Sequence, residues 1–136
     1  MSYFWEEGTF TPTVAGQTTA GSATYNYQIG KYKKIRNMVW VYIHTQWSSH
    51  TGTGNLQVNS LPYAPNNTSN AVQELQIWPP RSTTMQFTNV MPTGRIFANQ
   101  VYIRPGSWSV TGPGSWTGQA VPASGELLIV GWYDTN

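Results

Sequence analysis

The residues in this chain that could do chemistry are few. Five acids (Glu6, Glu7, Glu74, Glu126 and Asp134), two histidines (His44 and His50) and seven Lys and Arg side chains carry or exchange charge near neutral pH. Cleaving a glycosidic bond takes two carboxyl groups on either side of it, about 5 to 10 Å apart. Glu6 and Glu7, the only acids close in sequence, are adjacent and face opposite sides of an extended segment. His44 and His50 are six residues apart with no acidic cluster between them, fewer ligands than a zinc site needs. Cysteine is absent, which removes thiol nucleophiles, disulfides and Cys-ligated metals together. The glycines of "AGQTTAGSATYNYQIG" are not followed by Lys-Ser/Thr, so they form no phosphate loop. No catalytic residue, metal site or cofactor is assigned, and the chain is not read as an enzyme.

Two segments carry binding chemistry instead. In "RPGSWSVTGPGSWTGQ" the tetrapeptide Pro-Gly-Ser-Trp occurs twice, eight residues apart. Its Gly and Pro content predicts a loop or short hairpin. There Trp108 and Trp116 offer an apolar plate, and Ser107, Thr111 and Gln119 can hydrogen-bond hydroxyls, a combination that suits the C–H face and hydroxyl edge of a sugar. Large aromatics are equally what protein interfaces enrich. Ligand contact is expected of Trp108, and subunit contact of Trp116. The second segment, "KYKKIR", holds four of the seven basic residues. It reads either as an electrostatic patch for a phosphorylated or acidic polysaccharide or as an edge strand guarded by lysines. A net charge of +2 is far from the concentrated charge of nucleic-acid binders, so that class is set aside.

These residues must be positioned by strands. Strand signals recur every eight to twelve residues, and no window carries a helical apolar stripe. The clearest is "NMVWVYIHTQW" (37–47), with Val39, Val41, Ile43 and Thr45 on one side and Met38, Trp40, Tyr42, His44 and Gln46 on the other. Further candidates are 9–14, 23–29, 54–61, 71–78, 84–90, 94–104 and 125–133. About eight strands with Gly, Pro and Asn turns predict one all-β domain over residues 1–136, an antiparallel β-sandwich of jelly-roll type. The inner side of residues 37–47 should meet Leu56, Val58, Ile77, Ile103 and Ile129 in the core. The outer side (Met38, Trp40, Tyr42) is too apolar to leave wet and is the expected subunit interface. Charged residues are only 9%, against about 25% in typical soluble domains, so the surface is polar yet nearly uncharged. No apolar run is long enough to span a membrane, and "MSYFWEEGTF" has acids where a signal peptide needs Lys or Arg.

In chain order, "EEGTFTP" (6–12), "YNYQIGKYKKIRNMV" (25–39), "TGTGNLQVNSLPY" (51–63) and "ASGELLIVGWYDT" (123–135) resemble a family of short β-sandwich domains from tailed-bacteriophage tail fibres, tailspikes and related virion proteins. The family pattern runs E-G-T-W/F-T-P, then Y-x-x-Q-x-G-x-Y-x-K-I-G-N-x-V, a T-G-rich turn, G-L-P-F/Y, and a Gly-rich closing strand ending in tyrosine. Arg36 stands where the pattern has Gly after Lys-Ile, and Ser60 where Gly precedes Leu-Pro. The resemblance implies a homotrimer located on the virion, made in the bacterial cytoplasm, and supplies no catalytic residue. Two functions follow as expectations. One is a receptor- or carbohydrate-binding tail-fibre or spike domain that contacts host surface polysaccharide. The other is a structural virion component, a capsid decoration or trimerisation module, that contacts only other virion proteins. The start in "EEGTFTP" so close to Met1 suggests either an excised domain or a small free-standing virion protein.

Overall fold

A computed structural model of the chain describes residues 5–66, 72–78, 87, 91–98, 100–109 and 114–135. Its elements are β1 (Trp5–Phe10), β2 (Thr13–Gly16), β3 (Thr24–Ile35), β4 (Met38–Ser48), β5 (Leu56–Asn59), β6 (Gln73–Trp78), β7 (Met91–Ile96), β8 (Arg104–Trp108), β9 (Trp116–Gly118) and β10 (Gly125–Asp134). All pairing is antiparallel. One sheet runs β1-β3-β4-β10-β6-β7-β8-β9, and β2 and β5 form a second, small sheet. The fold is an all-β antiparallel sandwich, as the turn spacing predicts.

The β3–β4 hairpin is the spine. Its β-branched and aromatic residues favour a pleated, half-buried surface, and Ile35 pairs with Met38 across the two-residue turn Arg36–Asn37. Arg36 is left-handed there (φ 53), and Ser60 is left-handed too (φ 65). Both positions where the chain departs from the glycines of the phage pattern therefore keep the backbone that glycine adopts most cheaply.

β10 pairs with β4 over its whole length, Gly125 with Trp47 through Asp134 with Met38. This brings Leu127, Ile129 and Tyr133 inward beside Val39, Val41, Ile43 and Trp47. The small sheet closes the core: Val14, Leu56 and Val58 are buried in the same cluster, and Val58 exchanges backbone hydrogen bonds with Ile103 (2.8 and 3.1 Å). Each residue expected in the core (Val39, Val41, Ile43, Leu56, Val58, Ile77, Ile103 and Ile129) is buried. Trp47 donates its indole N–H to the Pro122 carbonyl at 3.1 Å, and Tyr133 its hydroxyl to the Tyr63 carbonyl at 2.7 Å.

Three expectations need correction, and one open alternative is decided. The run 9–14 is two strands, because Pro12 has no N–H for the ladder and the chain changes sheet there. The run 94–104 ends as a strand at Ile96 and resumes only at Arg104. Of the loop and short hairpin expected for the Pro-Gly-Ser-Trp repeat, the structure forms the hairpin: β8 and β9 pair antiparallel, with Trp108 opposite Trp116. "KYKKI" is not an edge, since β1 pairs with it from Trp5↔Ile35 to Phe10↔Gly30. The segment 84–90 lies outside the described residues except for Phe87.

Candidate functional site

Register decides which side chains share a face of the large sheet. On its outer side one row reads Trp5–Ile35–Met38–Asp134, the next Glu7–Lys33–Trp40–Trp132, and the next Thr9–Lys31–Tyr42–Val130–Gln76–Thr93–Gly106–Gly118. Of the seven tryptophans, only Trp47 points inward. The rest, Trp5, Trp40, Trp78, Trp108, Trp116 and Trp132, stand on the outer side.

Over β7, β8 and β9 that side is filled from within the chain. Trp116 reaches across β8 and donates its indole N–H to the Thr93 hydroxyl at 3.2 Å. Gly106 lies beneath it, where any Cβ would run into the indole at Cζ2 and Cε2. This is the physical use of the glycine in the first Pro-Gly-Ser-Trp. Trp108 donates to Glu74 Oε1 at 2.9 Å, and the same oxygen lies 3.2 Å from Arg95 Nε. The Arg95 guanidinium sits 4.9 Å from the Trp108 ring centre, 5.5 Å from that of Trp116 and 4.8 Å from that of Phe97. Arg104 adds contacts of 5.4 Å to Trp116 and 4.8 Å to Phe97. Trp108 and Trp116, the expected sugar platform, thus come together and are stacked with arginine, a cation–π arrangement. The other expected ligands do not join them. Ser107 is buried on the opposite side of β8, Gln119 donates its amide to the Ala120 carbonyl at 3.1 Å, and Thr111 lies outside the described residues.

Over β1, β3 and β4 the outer side is open. A groove of about 600 Å³ is lined by Glu7, Gly8, Thr9, Ile29, Lys31, Tyr32, Lys33, Trp40 and Tyr42. Trp40 is exposed and Tyr42 half-buried, so the floor is aromatic, with the lysines of β3 and the carboxylate and hydroxyl of β1 along one side of it. Beyond Trp40 a smaller hollow of about 310 Å³, lined by Lys33, Ile35, Met38 and Trp40, leads to an apolar end: Trp5 is 53% exposed, Ile35 49% and Trp132 54%. The expected interface residues are therefore divided. Met38 belongs to the apolar end, Tyr42 to the groove, and Trp40 lies between.

The titratable groups set aside above have structural partners. His50 is buried. It accepts the Gly52 N–H at Nδ1 (2.8 Å) and faces the Val14 carbonyl with Nε2 (2.8 Å), which assigns the neutral tautomer with hydrogen on Nε2. His44 Nε2 is 2.9 Å from the buried Glu126 carboxylate, and the Tyr27 ring stacks on His44 at 5.2 Å. Among the described residues no group of three or more His, Cys, Asp or Glu could hold a metal ion.

No protein-family model matches this chain, and no curated protein matches it.

Proposed function

We propose that this chain is a non-catalytic domain of a tailed-phage tail fibre or spike that recognises carbohydrate on the host surface and acts as a homotrimer. The observation that carries the reading is the open groove over β1, β3 and β4, in which the aromatic pair Trp40 and Tyr42 stands beside a polar side made by Lys31, Lys33, Glu7 and Thr9. An apolar plate takes the C–H face of a pyranose, and Glu7, Thr9, Lys31 and Lys33 can bond its hydroxyls. The β-sandwich fold, the order of the motifs and the left-handed backbone at Arg36 and Ser60 support the phage resemblance. Weak sites of this kind gain by repetition: linking several on one particle raises avidity by about 10² to 10⁴. The test is binding of the purified protein to a panel of bacterial surface polysaccharides. Trp40→Ala is expected to abolish binding without changing the melting temperature. Binding that survives the substitution places the contact elsewhere.

A second reading, a structural virion component, is favoured by the apolar end at Trp5, Ile35, Met38 and Trp132. Exposed apolar area concentrated in this way marks association surfaces. In the first reading this end is the subunit contact; in the second it is the whole function. Sedimentation equilibrium of wild type and Trp132→Ser measures the association, and a wild type monomeric at micromolar concentration removes the homotrimer from both readings.

A further inference from the structure

We infer that the groove over β1, β3 and β4 selects an anionic polysaccharide, one whose repeating units carry carboxylate or phosphate. This rests on the carbohydrate reading above and names its substrate class. Lys31 and Lys33 are two residues apart on β3, so both project outward on the groove side, about 6.6 Å apart along the strand. Both are exposed, and both line the groove next to Trp40 and Tyr42. Lys34, which points to the other side of β3, is already used within the fold, with its ammonium 5.1 Å from the centre of the Tyr63 ring.

The ion pairs among the described residues join His44 to Glu126 and Arg95 to Glu74. Among the described residues neither Lys31 nor Lys33 has a carboxylate within ion-pair distance, although Glu7 stands opposite Lys33 in the β1–β3 register. Two ammonium groups in a row beside an aromatic floor are complementary to fixed negative charges on a chain whose sugar rings stack on that floor. Lysine is suited to this because a compact ammonium on a flexible stem can follow carboxylates or phosphates at variable positions, whereas arginine's planar fork demands one geometry.

Two other occupants fit less well. A second copy of this chain laid over the groove would bury Lys31 and Lys33, and burying a charge without a partner is strongly unfavourable. Single-stranded nucleic acid would also stack on aromatic rings, but it needs a long groove of dense positive charge, and here the groove holds two lysines.

The experiment measures binding of the full chain to polysialic acid (a carboxylated homopolymer), dextran (a neutral glucan) and oligo(dT), at low and at near-physiological salt. We expect polysialic acid to bind more tightly than dextran, and to weaken about tenfold as the Debye length shortens from about 30 Å to about 8 Å. Lys31→Gln/Lys33→Gln should lower affinity for polysialic acid tenfold or more while leaving dextran unchanged; Trp40→Ala should remove both. Both variants change exposed side chains, and an unaltered melting temperature verifies their fold. If the double lysine variant keeps full affinity for polysialic acid while Trp40→Ala loses it, the groove still binds sugar and the anionic assignment is overturned. Tighter binding to oligo(dT) than to polysialic acid overturns it in favour of nucleic acid. Wild type that binds neither polysaccharide overturns this inference, and a blank result on the wider panel then removes the carbohydrate reading as well.

Discussion

The two halves of the outer sheet face use the same materials to opposite ends. Over β7, β8 and β9, Trp108 and Trp116 close around Arg95, and each indole N–H has a partner inside the chain. Over β1, β3 and β4, Trp40 lies exposed beside Lys31 and Lys33. A cation next to a tryptophan is thus no indicator of a binding site by itself. What differs is the kind of cation and the room beneath the ring. Arginine is planar and weakly hydrated, so it stacks, and Gly106 removes the side chain that would hold Trp116 off the sheet. Lysine keeps its ammonium in water, and the ring beside it stays available.

Substitutions can break this contrast, and the largest effect is expected beneath both halves. Ile43→Ala empties a fully buried site and should cost about 2 to 5 kcal/mol in urea denaturation. A loss below about 1 kcal/mol would mean that the inner and outer sides of β4 are reversed. Trp116→Ala removes a half-buried ring that contacts Arg95, Arg104 and Phe97. It should cost about 2 to 3 kcal/mol, less than for a ring deleted from a full core. Trp40→Ala should cost under about 1 kcal/mol, as surface changes do. Equal losses at the two tryptophans would erase the distinction between closed and open halves. Gly106→Ala sharpens it further: with the indole lifted, stability should fall by about 1 to 3 kcal/mol, and Trp116 fluorescence should shift to the red.

A pH effect comes next. Burial pushes the Tyr133 hydroxyl well above its ordinary value of 10.0. Below pH 10 it is protonated folded or unfolded, and stability is unaffected. As pH rises past 10 the unfolded chain ionises first, so stability should fall by about 1.4 kcal/mol per pH unit. Tyr133→Phe should flatten that slope, and an unchanged slope would assign alkaline unfolding to other groups. The smallest effect is a gain. Arg36→Gly relieves a left-handed non-glycine residue (φ 53), and should stabilise by about 1 kcal/mol.

The strand–turn framework was legible because burial on one side imposes a period of two. "MVWVYIHTQW" alternates without a break, and each core residue expected from it is buried. The register between strands was not legible from any one strand. Lys33 meets Trp40 only because Arg36 and Asn37 form the entire connection between β3 and β4. A short turn there, read together with the alternation of Lys31 and Lys33, would have put those lysines beside Trp40 and Tyr42. The tryptophan repeat was legible as a hairpin, but the packing of its rings was not, for a related reason. Glycine and proline ordinarily mark turns, but here one glycine, Gly106, serves the close approach of a ring to a strand, which depends on Trp116 ten residues away. Arg95 carries no local signal of its own: the stack exists only once β6, β7, β8 and β9 lie side by side.

The first row of the outer face also bears on how the chain could be rewired. Trp5 and Asp134, near the two ends of the described chain, both lie in the row Trp5–Ile35–Met38–Asp134, three strand spacings apart, or about 14 Å. A linker of a few residues would join them, which makes a circular permutant geometrically simple. Its path would cross Ile35 and Met38, roofing the apolar end while leaving the floor at Trp40 and Tyr42 uncovered. Such a molecule would cover the apolar end and leave the groove open within a single covalent loop.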